Sequence, residues 1–92
     1  MVTALEALRS TNVGGVKSVT ILAENDAIAC TSTIDFLILG QNFSQSVQLD
    51  ANDSKLVKVT HDKSGLSFVM VTASGSSAST SKALDLDAAA SG

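Results

Sequence analysis

Asp50, Asn52 and Ser54 have the alternate-residue spacing that opens a calcium-binding loop. Such a loop needs a glycine at its sixth position for the sharp turn and a glutamate at its twelfth to chelate the ion. Lys55 and His61 hold those places, and a lysine in the middle of a cation site opposes the charge it would bind. The stretch therefore reads as a polar turn. His61 and Asp62 are adjacent, but a hydrolytic triad needs an acid orienting a base within reach of a nucleophile. Serines are everywhere, no G-x-S-x-G elbow occurs, and His61 falls in a predicted turn, where it reads as solvated. Carboxylates pair at Glu24 and Asp26 in a turn and at Asp85 and Asp87 on one side of a late strand. Glycosidic chemistry needs them facing each other across a cleft. Cys30 is the only cysteine, which excludes an internal disulfide and a multi-cysteine zinc site and leaves a small buried hydrophobe. The sequons at Asn42 and Asn52 read as chance matches in a serine-rich chain. The expectation is a protein that is not an enzyme and holds no metal or cofactor.

These residues punctuate a pattern of strands organised around Asp35–Leu49. Ile34, Phe36 and Ile38 share one face at period two, and Leu37 and Leu39 share the other. Both faces are apolar, which predicts a strand covered on both sides. Gly40 permits a sharp bend. Phe43, Val47 and Leu49 then alternate with Ser44, Ser46 and Gln48, an inside/outside pattern. Before this pair come strands at Val16–Leu22 and Ala27–Thr31. After it come Lys55–Thr60, Leu66–Ala73 and a last strand carrying Lys82, Leu84 and Leu86. Strands recurring every 8 to 12 residues with turn signals between them are the mark of an all-β sandwich.

The chain has 92 residues, 45% of them hydrophobic and 3% aromatic, with no Trp or Tyr. That is one domain, with a core of Val, Ile, Leu and Ala plus three Phe. The net charge of −3 and the lack of any basic run argue against a nucleic-acid partner. The longest strongly apolar run, Phe36–Leu39, is too short for a bilayer, so no membrane partner is expected. Glu6 and Arg9 interrupt any signal-peptide core, so synthesis in the cytoplasm without export is the expectation.

Phe36, Ile38, Gly40, Asn42, Phe43 and Val47 fill the places of a short pattern, and the stretch Val19–Leu49 that carries them resembles the immunoglobulin-like IPT/TIG domains. The resemblance covers about residues 16–87. It implies an antiparallel immunoglobulin-like β-sandwich of about seven strands that serves as an interaction module. A free-standing acidic copy resembles the small decoration, or cement, proteins of bacteriophage capsids. That resemblance implies a non-catalytic virion structural protein at the capsid surface, bound to the major capsid protein or another virion protein and forming a homo-oligomer such as a trimer. The alternative is an IPT-like recognition module for a glycan or a host surface protein. Three Phe all needed by the core would leave little platform for a sugar.

The domain plan is an N-terminal arm and glycine hinge over residues 1–15, the sandwich over 16–87 and a small-residue tail over 88–92. Val2, Leu5 and Leu8 lie at a spacing that allows helical turns or an extended arm, with no evident place in the sandwich. Together with Leu84 and Leu86 they are the expected protein-binding residues.

Overall fold

A computed structural model describes residues 1–91, excepting the side chains of Ala7 and Ser91. The described residues form an all-β molecule of eight antiparallel strands in two sheets, with no helix. In chain order these are β1 (Val2–Val13), β2 (Val16–Asn25), β3 (Cys30–Ile38), β4 (Gln41–Leu49), β5 (Ser54–His61), β6 (Leu66–Ala73), β7 (Ser79–Asp85) and β8 (Ala90–Ser91). The first sheet has the order β5-β2-β1-β8 and the second β4-β3-β6-β7. Their inner faces enclose one core, with Phe36, Ile21, Ile34 and Ile38 among its largest fully buried side chains.

The hairpins follow from local backbone chemistry. Gly14 and Gly15 both have positive φ (60° and 84°), as do Leu39 and Gly40 (48° and 80°). Two left-handed residues between paired strands make the tight turn whose twist matches a hairpin. Val13 accordingly pairs with Val16, and Ile38 with Gln41. The paired glycines expected as a hinge are thus the turn that folds β1 onto β2.

That turn corrects the domain plan. Residues 2–13 are not an arm. They are a strand paired with β2 along its length and with β8 at Ser10 and Thr11. Val2, Leu5 and Leu8 are buried in the core, and so are Leu84 and Leu86. All five expected contact residues are spent on the fold and are not available to a partner. The reason lies in the register of β1, which shifts between Val2 and Ala4 and again between Glu6 and Arg9. A bulge adds a residue to one strand, so inward side chains recur at three instead of two. The spacing of Val2, Leu5 and Leu8 imitates a helical stripe for that reason. The tail over 88–92 is also corrected: Ala90 and Ser91 form β8, and Asn12 N–H donates to Ala89 O at 3.2 Å. Gly92 lies outside the described residues.

The second correction concerns β3, expected to be covered on both sides, and its neighbour β6 shares the outcome. Ile34, Phe36 and Ile38 face the core with Val69, Val71 and Ala73. The opposite faces of the same strands are not covered. Leu37 and Leu39 are exposed, and Leu66, Phe68 and Met70 stand outward along β6.

Candidate functional site

Several side chains able to do chemistry do meet, and each meeting has a structural use. Lys17, at the start of β2, is opposite His61 at the end of β5. Its Nζ donates to Ser64 Oγ at 2.7 Å and lies 3.8 Å from Asp87 Oδ1. Asp87 Oδ2 accepts from the Gly65 N–H at 2.8 Å. That backbone hydrogen bond, with the Ser64 hydroxyl and the nearby lysine, holds the Asp87 carboxyl below the usual carboxylate range. A lysine that served as base to a serine would have to accept its proton. Here the amine donates to the hydroxyl and pairs with a carboxylate, which is an ionic tie joining the β5–β6 and β7–β8 connections to β2.

His61 is not the solvated turn residue expected. Its Nδ1 accepts from the Lys63 N–H at 3.1 Å, so the proton of the neutral ring is on Nε2, which is buried without a hydrogen-bond partner. The Phe43 ring meets it edge-on, 6.1 Å between centroids. Burial and then the Lys17 charge push the His61 pKa down, while Asp62 and Asp87 oppose the shift. Because the folded-state pKa is the lower one, the unfolded chain binds the proton first as pH falls. Stability from this residue is whole above about pH 6.5 and declines below it until the native ring also titrates. Urea melts at about pH 7.5 and about pH 5.5 should show a smaller loss of stability in His61→Gln than in the parent. An equal loss would place the pH dependence elsewhere.

The expected calcium-like spacing at Asp50, Asn52 and Ser54 is a turn with Asn52 at φ 57°. It is held from the side by Asn25, a buried residue whose Nδ2 donates to Ile28 O and Asp50 O, each at 2.9 Å. Asn25 Oδ1 also accepts from the half-buried Cys30 Sγ at 3.4 Å. One amide thus joins the β2–β3 and β4–β5 connections. Among the described residues, no three His, Cys, Asp or Glu side chains come together as a metal site. The carboxylates that do meet are Glu6 and Glu24, on neighbouring strands of the first sheet. A hydrogen bond that the protonated Glu24 carboxyl donates to Glu6, and then the Glu6 charge, holds Glu24 above the usual range. Only the register of β1 on β2 brings that pair together, so no sequence spacing announces it.

The surface without a structural use is the outer face of the second sheet. Cross-strand register puts Leu37 beside Met70, and Met70 beside Ser81. Phe68 lies beside Ala83, and Leu66 beside Asp85. Leu66 is 82% exposed and Phe68 76%. Leu37, Leu66, Phe68 and Met70 together expose on the order of 500 Å² of side chain, the size of the largest and often functional apolar patches on small proteins. Only Asp35 and Asp85 carry charge among the outward residues of the four strands, and both stand at its margins. The expectation that all three Phe serve the core is therefore corrected: Phe36 is fully buried, Phe43 is packed against the core at its edge, and Phe68 is outside.

No family model, curated protein or solved structure matches the chain. The site therefore stands on its own geometry. Period two along Leu66–Ala73 puts Leu66, Phe68 and Met70 on one face and Val69 and Val71 on the other. The usable signal was that β-branched and small residues (Val69, Val71, Ala73) line one face and bulky flexible ones the other. Only one of two apolar faces can meet the partner sheet.

Proposed function

We propose that this chain is a non-catalytic structural protein that works by protein–protein contact, an immunoglobulin-like module of the kind that decorates or cements a phage capsid. The observation that carries the reading is the exposed apolar stripe Leu66-Phe68-Met70 on a sheet fixed by its own core. A monomer gains nothing from leaving such a stripe in water, whereas an assembling protein gains a contact. The immunoglobulin-like part is supported by connectivity: β1, β2, β5 and the two-residue β8 share one sheet and β3, β4, β6 and β7 the other, with the chain crossing between sheets after β2, β4, β5 and β7. The virion part rests on the sequence resemblance and on a chain with no better use for its surface than contact.

The recognition-module reading has one observation in its favour, the exposed ring of Phe68, on which a sugar could stack. Its neighbours are Leu66, Met70 and Ala83, which offer a sugar no hydrogen bonds, so the stripe suits protein better than glycan. Mass spectrometry of purified particles from a culture making this chain tests the proposal. The expected result is the chain in fixed ratio to the coat subunit. Its absence from particles, with Phe68-dependent binding on a glycan array, would overturn the reading.

A further inference from the structure

We infer that the outer face of the β4-β3-β6-β7 sheet is the contact between two copies of this chain, packed sheet on sheet about a two-fold axis that crosses β6 at Phe68. The inference deepens the protein-contact reading above and rests on it only for the use of this face.

The residue pattern is self-complementary. Turning one copy over about that axis runs β6 against β6 in opposite directions. Phe68 then meets Phe68, and Leu66 meets Met70 in both halves. Leu and Met are close in volume and exchange for one another readily in cores, so the two copies can interdigitate without a void. An isologous contact of this kind uses the same patch twice and closes on itself.

The charges fit the same operation. On the outer face Asp85 is in the row of Leu66, and Asp35 is in the row of Thr72, at the other end and on the other side of β6. The two-fold places Asp85 opposite Ser81 of the other copy, because Ser81 shares the row of Met70. It places Asp35 beyond the end of the stripe. No carboxylate faces a carboxylate, although the face carries no cation to neutralise one. A partner with a basic rim would find its counter-charges at distant corners and nothing charged in the middle.

The area also fits. The molecule measures 38 × 23 × 18 Å between its extreme Cα positions. A face of the larger two dimensions, with its apolar stripe and flanking Ser, Thr and Asn, matches the roughly 800 Å² per partner of a standard interface. Sheets so packed lie about 10 Å apart at a crossing of about 30°.

Sedimentation equilibrium of the full chain over a concentration series tests this. The expected result is a reversible monomer–dimer equilibrium that Phe68→Ser weakens by about a hundredfold, as loss of a central aromatic anchor does. Leu56→Ser, on the outer face of the first sheet, should leave it unchanged. Circular dichroism melts of both variants at low concentration report whether each is folded. Ala83 shares the row of Phe68 and so lies on the axis, which gives a second measurement that keeps the stripe intact. Ala83→Cys in a Cys30→Ser background should be joined to itself by a bismaleimide of about 10 Å span, while Leu56→Cys should not. A chain that is monomeric across the series, or a dimer that survives Phe68→Ser and fails to cross-link at position 83, would overturn the inference. A dimer absent from particles would keep this inference and remove the decoration reading, and a particle-bound monomer would do the reverse.

Discussion

Deleting residues 1–10 should leave the chain unfolded, without a β-sheet circular dichroism signal or a cooperative melt. Val2, Leu5 and Leu8 are each buried at 6% exposure or less. Truncating one such side chain to alanine costs about 2–5 kcal/mol, and a domain of this kind has about 5–15 kcal/mol in all. The deletion removes three of them at once. It also strips β2 of its β1 partner from Val19 to Asn25, a stretch of β2 that includes Val19, Ile21 and Ala23 of the core. Leu5→Ala alone should lower stability by about 2–5 kcal/mol. A deletion variant that still melts cooperatively near the parent temperature would return these residues to the status of an arm.

How much of this was legible before the structure depends on which residue is asked. The hairpin around Gly40 was, because Phe36 and Ile38 before it and Phe43 and Val47 after it keep strict alternation. β5 and β6 were, for the same reason. β1 was not, because its two register shifts break the period that identifies a strand. Gly14-Gly15 between Val13 and Val16 carried the opposite hint, since a glycine pair between apolar residues is a hairpin signal. The outer face was half legible. Period two separates Leu66, Phe68 and Met70 from Val69 and Val71, but it does not say which set meets the other sheet. That depends on tertiary packing, and the habit of assigning aromatics to the core points the wrong way for Phe68. Nor could spacing reveal the Lys17–Ser64–Asp87 tie, or Asn25 reaching Asp50, since these join residues far apart in the chain.

On the proposed reading, one face of the second sheet is core and the other is kept for contact. Phe36 and Phe68 sit on β3 and β6 of that sheet, on opposite faces, fully buried and 76% exposed. Phe36→Ala should destabilise the domain by about 3–5 kcal/mol, because the ring loses its burial and leaves a cavity among Ile34, Ile38 and Val71. Phe68→Ala should change the stability of the monomer by no more than about 0.5 kcal/mol, the range of surface substitutions, while weakening association about a hundredfold, as Phe68→Ser does. Urea unfolding of both variants, at a concentration low enough that the parent is monomeric and association adds nothing to its stability, is the direct measurement. A large loss for Phe36→Ala with almost none for Phe68→Ala is the predicted result. A loss of several kcal/mol for Phe68→Ala under those conditions would show that its ring belongs to the core, and would contradict a contact role for that face.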